Sequence, residues 1–517
     1  MSSNGKSLPE LLKAAAGRFS SRKAIIFGER VTDYSSLDQI SDRTAAALMA
    51  RGIQKGDRVA LYCPNSDAFV LAYFGILKAG GIVVPINLLL NPKEVAYILN
   101  DAGVKALIYH EVFSESVRAL EHRVPDLHFR IAIGAGKASE QDISWSQVMS
   151  VSSPLLPVDF DPAEDVAVIL YTSGTTGFPK GAMLTHQNLI SNVESVWEAV
   201  KLECGREVFL VVLPMFHAFA ATASMLTPLL NGCTIVPVPR FEPARVADMI
   251  QSVSVTVFMA VPSMFTVLLN LPDEDTAKFR SLKCCVSGGA AMPVEIMKQF
   301  EQKFGLPIYE GDGPTECSPV TCVNPVGGTR KPGSVGLPLP RVEMKILDDR
   351  GHELPQGEVG EICVRGPNVM KGYWNRPDET RDAFFGEWFR TGDLGMKDED
   401  GYFFIVDRIK DMIIVNGMNV YPRVIEEVLY TFPSIHEAAV IGEPHKLHGE
   451  IPVAYVALKA GASATAKDIH AFCRENIGRH KVPRKVFFLP ELPKNAAGKI
   501  LKRALRKDGE IERGVIS

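Results

Sequence analysis

The chain has 517 residues, 46% hydrophobic and 22% charged, with a formal net charge of -4 at pH 7. That length exceeds what one hydrophobic core supports, so at least two soluble globular domains are expected, and the small charge gives no footing for a nucleic-acid binder. Nine scattered cysteines form no C-x-x-C pair, which argues against structural zinc or a disulfide framework and for a reducing cytoplasm.

From the N-terminus, Ser7-Leu-Pro-Glu10 reads as a capping box that opens a helix, with Leu8, Leu11, Leu12, Ala15 and Phe19 at helical spacing. Glu10 and Lys13 interrupt any signal-peptide core. No apolar run approaches the roughly 18 residues a membrane span needs. Short β-branched runs then recur at Val59–Tyr62, Val166–Tyr171, Thr256–Ala260 and Lys283–Val286, each followed by a turn and a helical pattern. That alternation predicts an α/β fold of parallel-rich sheets packed with helices. After about Gly333 the pattern changes to Val342–Leu347, Gly360–Arg365 and Tyr402–Val406, linked by Gly/Pro/Asp turns, which predicts a β-rich subdomain. A boundary is expected at 407/408, giving a large N-terminal domain (1–407) and a small α+β C-terminal domain (408–517). From Ile409 onward Lys+Arg outnumber Asp+Glu by 17 to 12, against 39 to 48 before it. A basic C-terminal segment suits a partner with several phosphates.

The strongest chemical signal is Tyr171-Thr-Ser-Gly-Thr-Thr-Gly-Phe-Pro-Lys-Gly181, between a predicted strand and a helix that Thr185 can cap. Gly174, Gly177 and Gly181 let the backbone bend so that N–H groups converge into an anion nest. The hydroxyls of Thr172, Ser173, Thr175 and Thr176 add donors, and Lys180 adds positive charge. The run is not a Walker A loop, since no G-x-x-x-x-G-K-[ST] is present. Further along come Pro214-Met-Phe-His-Ala-Phe219, Ser287-Gly-Gly-Ala-Ala291, Gly311-Asp-Gly-Pro-Thr-Glu316, Glu387-Trp-Phe-Arg-Thr-Gly-Asp-Leu394, Asp407-Arg-Ile-Lys-Asp-Met-Ile-Ile-Val-Asn-Gly-Met-Asn419 and Leu492-Pro-Lys-Asn-Ala-Ala-Gly-Lys-Ile500.

Together, and in this order, these segments resemble the signature motifs of the adenylate-forming superfamily: acyl-CoA synthetases, adenylation domains of peptide synthetases, and luciferases. The resemblance covers nearly the whole chain. It implies that the loop from Thr172 to Lys180 grips ATP phosphates and that Thr315 contacts the α-phosphate. Glu316, with Thr175, would hold Mg2+, the hard cation that ATP brings and that prefers oxygen ligands. Gly288, Gly289, Ala290, Glu310, Gly311, Asp312 and Gly313 would line the adenine site. Asp393 would bind the ribose diol, as a carboxylate accepting two hydrogen bonds can. Arg408 would reach the nucleotide, and Lys410 would be the pivot of a mobile C-terminal domain. Gly417 and Met418 would line the CoA tunnel. Lys499 would bridge the attacking carboxylate and the α-phosphate. His217, Ala218, Ala221, Ser263 and Gly289 would form the acyl pocket.

One departure stands out. Asp312 occupies a position that is aromatic in the family and stacks on adenine there; a carboxylate cannot replace that stacking area, so weaker ATP binding is expected. The implied activity is ATP-dependent carboxylate–CoA ligation through an acyl-AMP. The alanines after His217 and the absence of charge in the pocket motifs favour a medium- or long-chain fatty acid. An aryl or alicyclic acid is the close alternative. A stand-alone enzyme loading a carrier protein and a luciferase-like oxygenase share the fold. A purely nucleotide-binding module would not need both Lys499 and Glu316.

Overall fold

The computed structural model describes residues 5–134, 139, 141–172, 179–496 and 498–508, with 507 and 508 described by backbone alone. The capping box at Ser7 and Glu10 forms as expected and starts the helix Leu8–Phe19. Among the described residues, one eight-stranded sheet has at its centre the parallel strands Val166–Thr172, Ile82–Pro85, Arg58–Tyr62, Val104–His110 and Phe129–Ile133. A nine-stranded sheet is built around the parallel strands Ile308–Asp312, Cys284–Ser287, Val257–Ala260, Val208–Val211 and Thr234–Pro237. The predicted runs fall on these strands within one or two residues.

One hydrophobic cluster joins both sheets, and the helix Asp67–Lys78 runs through it with every residue buried. A helix that is apolar all round belongs in a core. Its one inner cation, Lys78, is satisfied by Asp38 and Asp42 at 2.5 and 2.6 Å, as a buried charge must be.

The subdomain expected after Gly333 is a five-stranded antiparallel sheet in which Trp388–Lys397 pairs with Gly360–Arg365 and with Phe403–Arg408. The described residues beyond Arg408 form a small domain with its own sheet and its own apolar clusters. Its longest ladder joins Ile435–His445 to Gly449–Leu458. The strand before the glycine-rich run and the helix after it form as expected, and between run and helix the structure adds a strand, Lys180–Thr185, antiparallel to Val166–Thr172. Thr185 still caps the helix His186–Val200 by accepting from Asn188 N–H. Val166–Thr172 and Lys180–Thr185 form an antiparallel pair at one side of the sheet, and two residues from the subdomain, Gly372–Tyr373, add to it.

Candidate functional site

The antiparallel pair sets Thr172 opposite Lys180. Ser173, Gly174, Thr175, Thr176 and Gly177 lie outside the described residues. Beside Thr172, Glu316 is held by two donors: Tyr373 O–H at 2.9 Å and Thr172 Oγ1 at 3.5 Å, both to Oε1. The Lys180 ammonium lies 5.2 Å from the centre of the Tyr373 ring, a cation–π distance. Burial and then the Glu316 charge raise the Tyr373 phenol well above its usual range, so it stays a donor. The sequence motifs do not single out Tyr373. Its only signal there is an aromatic pair, Tyr373-Trp374, after a glycine.

The strand Ile308–Asp312 delivers the next group. Gly313 is packed so closely that a Cβ would fall 1.7 Å from Pro319 O, so only glycine allows this turn. Asp312 lines the cleft. Burial and then the neighbouring Asp393 push its carboxyl up to about 6, against the opposing pull of Arg408 and Lys499. Asp393 and Arg408 face each other across adjacent strands, with Nε to Oδ1 at 2.7 Å. Gly288, Gly289, Gly311, Gly313 and Thr315 line the same cleft. Ala290 follows them in the Ser287–Ala291 run and is half-buried. Glu310 is only 1% exposed and takes Met292 N–H at 2.9 Å; it is buried one residue before Gly311 and is not itself on the cleft lining.

The C-terminal domain reaches this cleft through the loop 494–500, closed by a bridge between Lys494 and Ile500. Ser263 Oγ donates to Gly498 O at 3.0 Å, and Asn495 Oδ1 accepts Lys499 N–H at 2.9 Å. Lys499 is exposed, although protein atoms crowd round it. That crowding, and then Arg408, hold its ammonium below the usual lysine range, while Asp393 and Asp312 pull the other way. Lys410 is exposed on the short turn Ile409–Asp411, close enough that its charge also bears on Lys499. Gly417 and Met418 are exposed on a hairpin held by Asn416 against His448. They are not brought to the cleft in this orientation.

Beside Asp312 opens an apolar pocket of about 610 Å³, a figure that counts the open solvent at its mouth. Val196 and Val200 of one helix line it together with Phe219, Ala223, Met259, Val286 and His217. Burial and then the Lys499 charge hold His217 down to about 4, so its ring is neutral at pH 7. Of the acyl-pocket residues expected from sequence, His217 and Gly289 line the cavity. Ala218 and Ala221 pack into the core instead, at 2% and 5% exposure, and Ser263 is spent on Gly498. The segment Ala220–Leu226 is π-helical. Its wider turn shifts which alanine faces the cavity, so Ala223 takes that place.

No group of three or more Asp, Glu, His or Cys forms a metal cage among the described residues. The donor set fits magnesium all the same. Mg2+ is commonly held by one carboxylate plus substrate phosphates, and among the described residues nothing donates to Glu316 Oε2.

Comparison with known proteins agrees with this geometry. The family model for AMP-binding enzymes matches residues 12–374, and that for the AMP-binding enzyme C-terminal domain matches 424–499. The chain is 38% identical to a long-chain-fatty-acid–CoA ligase of Bacillus subtilis, over 97% of this chain and 94% of that one. It is 36% identical to a feruloyl-CoA synthase of an Amycolatopsis species, over 94% and 95%. Among solved structures, the anthranilate CoA ligase AuaEII in complex with anthranoyl-AMP matches with a TM-score of 0.90 at 29% identity, covering 97% and 96% of the two chains. ATP-bound MatB from Rhodopseudomonas palustris matches with 0.88 at 32%, covering 96% and 98%. Motif order, fold and likeness along the chain converge: it belongs to the AMP-binding enzymes, in the acyl-CoA synthetase branch of the adenylate-forming superfamily, as an AMP-forming carboxylate–CoA ligase.

Proposed function

We propose that the substrate is an apolar acid, first a medium- or long-chain fatty acid, activated as its adenylate and passed to CoA. The observation that carries this reading is the cavity: Val196, Val200, Phe219, Ala223, Met259 and Val286 make its lining mostly apolar, and His217, Ser287, Asp312 and Thr315 are the few polar side chains on it. An alkyl chain suits the apolar side chains and a polar head group the few polar ones. The likeness to long-chain-fatty-acid–CoA ligases at 35–38% identity supports it.

In the first half-reaction the ionised carboxylate attacks the α-phosphorus of ATP. An O–P bond forms and the bond to pyrophosphate breaks. Lys499 and Thr315 donate to the negative charge that develops there. Asp393 holds the ribose diol, and the loop from Thr172 to Lys180 holds the β- and γ-phosphates. Glu316 would hold Mg2+, which neutralises phosphate charge when bound. His217, neutral, shapes the carboxylate end without acting as a base, since the acid is already ionised. In the second half-reaction the small domain turns about Lys410, Lys499 leaves, and the Gly417–Met418 hairpin comes in to line the CoA tunnel. The thiol sulfur attacks the acyl carbon, its proton passes to solvent, and AMP departs. The nine free thiols suit a reducing compartment, the cytoplasm. An aryl acid is the second reading, favoured by the likeness to feruloyl-CoA synthase and to the anthranilate ligase.

The test is to supply Mg·ATP, CoA and acids from acetate to oleate, with benzoate, cyclohexanecarboxylate and a hydroxycinnamate, and to measure AMP and acyl-CoA. Long-chain acids should give the highest kcat/KM. Lys499→Ala should lower acyl-AMP formation by about a hundredfold or more. Preference for the hydroxycinnamate would replace the fatty-acid reading with the aryl one. Pyrophosphate release without acyl-CoA would shift the acceptor to a carrier protein.

A further inference from the structure

Glu310, named above among the adenine-site residues, is buried behind the cleft lining. It is 1% exposed, its Oε2 has no partner among the described residues, and burial pushes its carboxyl up to about 7. The one cation near it among the described residues comes from the other domain: Arg423 Nη2 stands 3.8 Å from Glu310 Oε1, with the Arg423 side chain 12% exposed. Arg423 lies beyond Lys410 in the chain, yet its other contacts also reach back across it. Its Nη1 donates to Ile405 O at 2.7 Å, and its backbone N–H donates to Asp407 Oδ2 at 2.9 Å.

That last bond is a helix cap. The helix Pro422–Tyr430 has no side-chain cap from its own N-terminal residue, Tyr421, and Asp407 supplies one from across the pivot. The reverse also holds. The helix Val294–Phe304 of the large domain begins after Pro293, which provides no cap. Glu427 of the small domain accepts its Val294 N–H at 3.4 Å. Each domain thus caps a helix of the other, and Arg423 is bonded to the large domain at two points beside these caps.

We propose that Arg423 and Glu310 form a latch that holds the small domain in the orientation presenting Lys499 to the cleft, and so act as positioning residues for the adenylation half-reaction alone. The half-reaction assignment rests on the proposed function above; the latch itself does not. Any turn about Lys410 carries Arg423 away from Ile405, Asp407 and Glu310 together. Glu310 is then left buried without its cation, which penalises the turned state. The latch therefore favours acyl-AMP formation and opposes the CoA step.

Two measurements decide it, on the full-length protein and on Arg423→Gln, Glu310→Gln and the double variant. The first is the distribution of inter-domain distances in the ligand-free protein, read by energy transfer between one dye in each domain. Each single variant should broaden it towards turned states, and the double variant should add nothing further, because either change opens the same contact. The second is rate. Arg423→Gln should slow pyrophosphate release about tenfold while thioester formation from supplied acyl-AMP stays within about twofold or rises. An unchanged distance distribution, or equal slowing of both half-reactions, would overturn the latch. If the wild type activates no acid, the function reading fails, and the distance measurement still settles the latch. Should Glu310→Gln not fold, Arg423→Gln carries both measurements alone, since its side chain sits at the domain boundary and not inside either core.

Discussion

At the scale of single residues, Asp312 decides most. Its carboxyl stands where the family resemblance implies a ring stacked on adenine, and its neighbours are Asp393, Arg408 and Lys499. Asp312→Tyr is expected to lower the KM for ATP by about threefold to tenfold through restored stacking; an unchanged or raised KM would mean that adenine is held fully by its other neighbours. The same group has a signature in stability. Its folded pKa, about 6, lies above the ordinary aspartate value, so the native state binds its proton more tightly than the unfolded chain does. Its contribution is therefore favourable at low pH and is lost as pH rises from about 4 through about 6. Asp312→Asn, which carries no charge, should gain stability relative to wild type over that window and hold a constant advantage above it. The advantage should be on the order of 1–2 kcal/mol, after allowing for the solvent that the cleft admits. Melting temperatures of the two proteins at pH 4.5, 6 and 8 would check it, and parallel curves would contradict it. The substitution is plain in the sequence as a break in the motif. Its electrostatic setting is not, because Asp393, Arg408 and Lys499 come from distant stretches of chain.

At the scale of elements, the loop 494–500 shows how little room the site leaves. Gly498 has φ +81°, and a Cβ there would meet Ser263 Oγ at 2.9 Å and Val261 Cγ2 at 3.1 Å. Gly498→Ala should thus displace Lys499 and slow acyl-AMP formation by about tenfold or more. The melting temperature should move little, because the loop is at the surface of its own domain. A large loss of stability with unaltered adenylation per folded molecule would say that the contact is structural only. Strands are the most legible elements: Val166–Tyr171 and Gly360–Arg365 announce themselves by β-branched runs, and the structure puts strands there. The strand Lys180–Thr185 escapes a local reading because it opens on Lys-Gly and has no β-branched residue before Thr185. It exists by pairing with Val166–Thr172, a long-range fact that local pattern does not carry. Ala223 escapes for a related reason. Ordinary helical spacing from His217 points to Ala221, and the π-helical turn moves the cavity-facing position two residues along.

At the scale of the whole molecule, a large domain supplies the wall and a small one supplies Lys499. The apolar cavity belongs to the large domain alone, so substrate length can be altered without touching the domain contact. Ala223→Phe, at the cavity wall, should fill part of it and shift preference towards shorter acids. We expect kcat/KM for long-chain acids to fall by about a hundredfold, while hexanoate changes by less than about threefold; competition between hexanoate and palmitate in one assay would read this directly. The placing of Asp393 carries a further consequence. Its Oδ1 is already bonded to Arg408, two residues before Lys410. If Asp393 binds the ribose as proposed, the sugar shares that oxygen, uses Oδ2, or displaces the guanidinium. Where it displaces the guanidinium, nucleotide arrival swaps a bond within the protein for bonds to the guest, and slackens the rung that leads into the proposed pivot. When AMP leaves, Arg408 regains its carboxylate and the rung tightens. The filling and emptying of the sugar site would work as a clutch on the small domain, engaging and releasing it once in each turnover.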